Sequence, residues 1–317
     1  MSCAARDHSR SHRAASATRF AYASYLLLAA VACSSPTESP PVAHARPGTV
    51  SGAVAAPTPA VLVGAGDIAG CASSGDEATA RLLARYSGTV FTAGDNAYEA
   101  GSAADYANCY GPSWGRQKWR TRPAPGNHEY HTAGAAAYFA YFGAAAGRAG
   151  AGWYSYDLKD WHVVVLNSNV SMSATSPQVA WLKADLAAHR KRCTLVYWHH
   201  PLFSSGPHGS NAFVRPVWQV LYQMGVDVVV NGHDHDYERF APQRPDGTWD
   251  PQRGIREFVV GLGGRSRYSF VTVRRNSQAR YNARFGVIVL SLFPTSYHWA
   301  FLGTDALVKD SGVANCH

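Results

Sequence analysis

The sequence predicts an α/β fold in which two sheets pack together with helices outside, within residues 60–317. Three observations predict it. Short runs rich in Val and aromatics recur at Ala60–Ala65, Val90–Ala93, Trp161–Asn167, Thr194–Trp198 and Val226–Asn231, each ending where polar residues begin. Amphipathic stretches separate several of these runs. The last third is strand-rich and has no long helical period.

Taken in order, residues 1–33 are expected to form a signal peptide. Arg6, Arg13 and Arg19 precede the apolar run Ala21–Ala32, which is too short to span a bilayer and is followed by small residues. Ala30-Val31-Ala32-Cys33 is similar to a bacterial lipoprotein cleavage box. The product is therefore expected to be exported: secreted, periplasmic or lipid-anchored at the cell surface through Cys33. Residues 34–59, rich in Pro, Ser, Thr, Ala and Gly, read as a flexible linker.

Within the folded region, Asp76–Tyr86 places Ala78, Leu82 and Tyr86 on one side of a helix. Trp153–Leu158 and Trp161–Asn167, joined by Lys159-Asp160, read as an antiparallel hairpin. Ser176-Pro177 supplies a cap and a Pro at the first helical position, and Val179, Leu182 and Leu186 form an apolar face. A further helix is expected over Asn211–Met224, broken or restarted at Pro216 and stopped by Gly225. Strands are expected at Arg256–Val260, Ser269–Arg274, Phe285–Ser291 and Tyr297–Phe301, with a turn at Pro245-Asp246-Gly247.

Composition narrows the function. Of 317 residues, 46% are hydrophobic and 16% charged, which excludes a wholly disordered chain or a tiny disulfide-held module. The formal charge is +8, yet the densest basic run, His189-Arg190-Lys191-Arg192, sits at a helix end where positive charge is favourable anyway. No nucleic-acid partner is expected; an anionic small molecule suits the charge. Without the leader, Cys71, Cys109, Cys193 and Cys316 remain, enough for two disulfides. Cys71–Cys109 is the preferred pair, because both lie on loops beside the polar clusters.

Those clusters follow strand ends, where α/β sheets bind ligands. Asp67 follows the first run, and Asp95, with Asn96 and Tyr98, the second. Asn127-His128-Glu129 sits behind Pro125-Gly126. His199-His200 and His233-Asp234-His235 follow two further runs. A Gly precedes Asp67, Asp95, Asn127 and His233, letting backbone approach closely. Carboxylates, an amide, imidazoles and a phenol without thiolates exclude a structural zinc cluster or an iron–sulfur centre. They suit two hard or borderline ions sharing a carboxylate, and hence phosphoryl transfer.

The blocks Asp67, Gly94-Asp95-Asn96-Ala97-Tyr98, Gly126-Asn127-His128-Glu129, Val196-Tyr197-Trp198-His199 and Gly232-His233-Asp234-His235 resemble the calcineurin-like metallophosphoesterases. Tyr98, with His233–Arg239, is similar to the purple acid phosphatase branch, in the compact form seen in bacteria and animals. Asp67-Ile68-Ala69-Gly70 departs from the branch's usual Asp-x-Gly. The resemblance implies a four-layer α/β/β/α sandwich of two packed mixed sheets, with residues 60–317 as the catalytic domain. It implies two metal ions: Asp67, Asp95, Tyr98 and His235 around the first, and Asp95, Asn127, His199 and His233 around the second. A phenol near pKa 10 binds as phenolate only to a strongly Lewis-acidic ion, so Fe(III) is expected beside Tyr98, absorbing visible light. Fe, Zn or Mn is expected at the second position.

His128 is expected to contact a phosphate oxygen or protonate the leaving group, and His208 to bind phosphate. His200 is expected to point away from the ligands if its segment is extended. Glu129, Asp234 and Asp236 are candidates to orient imidazoles. The expected reaction is hydrolysis of a small phosphate monoester by in-line attack of a metal-held hydroxide, acid phosphatase-like. A phosphodiesterase or nucleotidase with the same centre is the alternative; Tyr110, Trp114 and Trp119 would then stack a base or simply pack a loop.

Overall fold

The computed structural model describes residues 57–317. The expected leader, the lipidation site at Cys33 and nearly all of the expected linker lie outside the described residues. The described residues begin with β1 (Ala60–Ala65), the two-residue β2 (Ala69–Gly70), α1 (Gly75–Leu83), β3 (Thr89–Ala93), β4 (Ala97–Tyr98), the one-turn α2 (Ala103–Asp105), β5 (Thr121–Ala124) and α3 (Ala136–Phe142). Next come β6 (Tyr154–Leu158), β7 (Trp161–Val165), α4 (Pro177–Ala188), β8 (Cys193–Tyr197), α5 (Arg215–Gln223) and β9 (Val228–Asn231). Six strands complete it: β10 (Tyr237–Phe240), β11 (Arg256–Val260), β12 (Ser277–Tyr281), β13 (Gly286–Phe293), β14 (Ser296–Gly303) and β15 (Val308–Asn315).

Two mixed sheets result. One is ordered β15-β14-β13-β1-β3-β5 and the other β12-β10-β11-β9-β8-β7-β6. In the second, β7, β8, β9 and β11 run parallel, and their Val-rich runs are buried on both faces, as parallel strands require. Side-chain alternation divides them. Val163, Val165, Leu195, Tyr197, Val228 and Val230 join the core shared with the first sheet. Val164, Val196 and Val229 pack with Val179 and Leu182 of α4 and Val217 and Leu221 of α5. Leu82 and Leu83 of α1 pack onto the first sheet's side of the core. Phe91 meets Tyr197 across the sheets, with ring centroids 5.3 Å apart.

The helices follow their signals with adjusted ends. Ser176 Oγ accepts the Val179 N–H at 3.2 Å, and Pro177 opens α4. The expected Asn211–Met224 helix divides into a 3-10 turn, Ala212–Val214, and α5, which restarts at Arg215 just before Pro216. The α1 helix stops at Leu83 rather than at Tyr86.

One expected strand is absent. Ser269–Arg274 is an irregular segment whose backbone bonds to the loop Ser204-Ser205: Val271 N donates to Ser205 O at 2.8 Å and Arg274 N to Ser205 Oγ at 2.9 Å. Its apolar alternation faces solvent, with Val271 and Val273 exposed. Both possible disulfides form, Cys71–Cys109 as preferred and Cys193–Cys316.

The second disulfide brings the C-terminus against Asp227. That carboxylate is buried and accepts N–H bonds from Thr194 at 2.8 Å and His317 at 2.9 Å. Burial nevertheless pushes its pKa from 3.8 to about 7. The folded chain then holds a proton that the unfolded chain releases, so this contribution to stability is complete below 3.8 and lost as pH rises through about 7. Urea midpoints between pH 4 and 8 should therefore fall less steeply in Asp227→Asn than in the unsubstituted protein.

Candidate metal centre

The five polar blocks converge at the carboxyl ends of strands. Asp67 follows β1, Asp95 follows β3 and Asn127 follows β5 in the first sheet, while His199 follows β8 and His233 follows β9 in the second. Close approach depends on two glycines. A Cβ at Gly126 would fall 2.1 Å from Asp95 Oδ1, and one at Gly232 would fall 2.6 Å from Asp67 Oδ2. The departure at Ala69-Gly70 is accommodated as β2, which pairs with β4 and sets Gly70 opposite Tyr98.

Two groups of donor atoms meet at Asp95. On one side, Tyr98 Oη lies 3.0 Å from both Asp67 Oδ1 and Asp95 Oδ2 and 3.3 Å from His235 Nε2. His235 Nε2 is 3.2 Å from Asp67 Oδ1. On the other side, His199 Nε2 lies 3.3 Å from Asp95 Oδ2, 3.0 Å from Asn127 Oδ1 and 3.2 Å from His233 Nδ1. All seven residues expected to hold metal are therefore brought together, and Asp95 Oδ2 borders both groups.

The electrostatics favour a cation. Burial alone would raise the Asp95 carboxyl, but the His199 imidazole holds it well below the usual carboxylate range. Burial alone would lower His199, yet the Asp95 charge lifts it to about 9. Burial, reinforced by His199, drives His233 toward its neutral form. Tyr98 moves well above 10 through burial and the charges of Asp67 and Asp95. The donor set fits metal: oxygens and imidazole nitrogens 3.0–3.3 Å apart are spaced like ligands sharing an ion at about 2.0–2.2 Å.

Surrounding residues fix the donors. His199 Nδ1 meets Ala93 O at 2.8 Å, directing Nε2 inward. His235 Nδ1 meets Ser266 Oγ at 2.6 Å, and the Tyr268 ring stacks on His235 at 4.1 Å. His128 Nδ1 meets Glu99 O at 2.6 Å, which leaves Nε2 3.9 Å from Asp95 Oδ2. His208 is exposed at the rim and stacks on His233 at 4.4 Å.

Several expected roles change. Glu129 orients backbone rather than an imidazole: its carboxylate accepts N–H bonds from Asp95, Asn96, Ala97 and Gly126, and the Tyr106 hydroxyl donates to it as well. Asp234 likewise accepts from the His208 and Gly209 amides. Both Asp236 oxygens are buried without a partner, and burial raises that carboxyl to about 9, so it is held protonated. His200 does not point away; β8 ends at Tyr197, and the His200 ring packs 4.3 Å from His233 with Nδ1 on Ser168 Oγ. Tyr110 and Trp114 are buried and pack their loop, and only Trp119 is exposed.

Sequence reasoning missed Ser266, Tyr268, His131 and Arg265. His131 shares the Glu99 carbonyl with His128, and Arg265 lies over the Tyr98 ring while pairing with Glu99. The glycines Gly261, Gly263 and Gly264 after β11 were the available signal, marking another strand end where backbone comes close.

Fold and cluster together define a metal-binding phosphoesterase scaffold resembling the purple acid phosphatases. Residues 53–237 match the calcineurin-like phosphoesterase family, and the chain belongs to it. Purple acid phosphatase 18 of Arabidopsis thaliana is 32% identical over 118 residues, which cover 35% of this chain and 26% of that protein. An acid phosphatase of Aspergillus ficuum is 34% identical over 170 residues, covering 46% of this chain and 28% of that protein. The chain thus aligns with less than a third of the length of either relative. A purple acid phosphatase from yellow lupin (Lupinus luteus) seeds superposes with a TM-score of 0.67 at 17% identity, over 81% of this chain and 53% of that one, a likeness of fold.

Proposed function

We propose that the chain is an exported two-metal hydrolase of small phosphate monoesters. The observation that carries this reading is the position of Asp95 Oδ2, 3.0 Å from Tyr98 Oη and 3.3 Å from His199 Nε2, shared by two complete donor groups. Asp67, Asp95, Tyr98 and His235 would hold one ion, and Asp95, Asn127, His199 and His233 the other. Bound there, the ions would supply Lewis acidity, acidifying water and drawing charge from a phosphoryl group. The Tyr98 phenol, raised by burial and two carboxylates, would ionise only beside a strongly acidic ion, which supports Fe(III) in the first position. Fe, Zn or Mn suits the Asn127–His199–His233 side. The two disulfides support an oxidising compartment.

The chain's own groups then bind and orient the ester. His128 presents Nε2 toward the cluster while Glu99 O holds Nδ1, a geometry suited to donating a proton to the leaving oxygen. His208, at the rim against His233, suits a non-bridging phosphate oxygen. With His128 beside Asp95 and His208 against His233, imidazole donors flank the cluster and suit the more oxygen-rich phosphoryl group of a monoester.

Initial rates on an aryl phosphomonoester and the matching bis-aryl diester test this reading. The monoester should be preferred. His128→Ala should lower its kcat by about 10²–10⁴-fold, the range for losing a general acid, while thermal unfolding stays unchanged. A preference for the diester would replace this reading with phosphodiesterase activity.

A further inference from the structure

A second group of side chains able to hold a metal lies on β7 and at the end of α4, and it shares no residue with the Asp95 cluster. His162 is buried, with a carboxylate at each ring nitrogen: Nδ1 is 2.9 Å from Asp157 Oδ1 and Nε2 is 2.8 Å from Asp185 Oδ2. Asp185, in the last turn of α4, and His189, the residue that follows the helix, come together, with Asp185 Oδ1 3.4 Å from His189 Nδ1. Ser155 Oγ donates to Asp185 Oδ1 at 2.8 Å and fixes that carboxylate. One ligand atom from each of His162, Asp185 and His189 lies within 4.8 Å of the others.

We propose that His162, Asp185 and His189 form a separate site for one zinc-class divalent cation, which clips the end of α4 to β7. Two imidazoles and one carboxylate match zinc rather than calcium or magnesium, whose sites are built from oxygens. Asp157 supplies the feature that zinc-binding histidines nearly always show, a carboxylate on the other ring nitrogen, leaving Nε2 for the ion.

The charges agree. Asp157 and Asp185 face His162 together, and Lys191 reaches only Asp157, at 3.5 Å. Cation entry displaces the proton shared by His162 Nε2 and Asp185, leaving neutral imidazole and two carboxylates to balance a dipositive ion. An imidazolium bridging two acids would explain Asp157 and Asp185 alone. His189 adds a third donor beside them: its Nδ1 meets Asp185 O at 2.9 Å, and its ring lies parallel to His162 at 4.5 Å. With 44% of its side chain exposed, His189 can exchange the Asp185 carbonyl and the stack for the ion, and water can fill the fourth position.

Zinc binding to the full chain tests the proposal, whatever the protein hydrolyses. After saturation with zinc and removal of free ion, the unsubstituted protein should retain one equivalent more than His189→Ala. Equal retention overturns the proposal. Because His189 lies outside the buried core, the two metal-free proteins should melt together. Should the variant fail to fold, anomalous scattering at the zinc edge from zinc-soaked crystals of the unsubstituted protein decides. A peak about 2.0–2.1 Å from His162 Nε2 supports the site, and no peak there overturns it.

Discussion

Asp95→Asn is expected to lower kcat for an aryl phosphomonoester by about 10³-fold or more while the chain remains folded. Asp95 Oδ1 accepts the His128 backbone N–H at 2.9 Å, a bond that the amide oxygen of Asn can retain. Oδ2 is the atom that borders both donor groups, and there the substitution removes a negative charge. Metal-assisted catalysis contributes several kcal/mol of charge stabilisation, and about 4 kcal/mol corresponds to the stated loss. Steady-state kinetics with metal content assayed on the same sample provides the check. An unchanged kcat with unchanged metal content would remove Asp95 from the centre.

Glu129→Ala should have the largest effect on folding, lowering stability by about 3–5 kcal/mol, as expected when several buried N–H donors lose their shared acceptor. One carboxylate gathers the amides of Asp95, Asn96, Ala97 and Gly126 and thereby ties the loop after β3 to the loop after β5. Its deletion strands those buried donors, each costly to leave unpaired. Glu129→Gln keeps an acceptor oxygen and should lose less. Urea unfolding of the metal-free proteins gives the comparison. A loss in Glu129→Ala no larger than that of a surface substitution would mean that the loops hold their shape without it.

Four candidate ligands were legible because each follows a short apolar run that is itself a strong signal; Asn127 instead follows β5, whose Thr-Arg-Pro-Ala carries no such run. Asp67, Asp95, Asn127, His199 and His233 stand just beyond β1, β3, β5, β8 and β9. Side-chain chemistry made them candidates to hold metal. The role of Glu129 could not be read, because its partners are mostly backbone amides, which every sequence contains. His200 misled for a different reason: period-two alternation applies only inside a strand, and β8 ends two residues before His199.

The last third was read less well. The Ser269–Arg274 segment alternates like a strand, but it carries Arg274 beside Arg275 and bonds to the Ser205 loop rather than to a sheet, just after Tyr268, whose N–H donates to His235 O at 2.8 Å. Outer strands such as β12 and β15 are largely polar, so their pairing is set by neighbours rather than by an apolar pattern of their own.

A carboxylate shared by two ions is tested by anomalous scattering from crystals of the metal-loaded protein, collected on both sides of the iron edge. Two peaks are expected about 3.5–4 Å apart, one on each side of Asp95 Oδ2, with iron on the Tyr98 side. A single peak at Asp95, or none despite bound metal, would contradict a carboxylate shared by two ions.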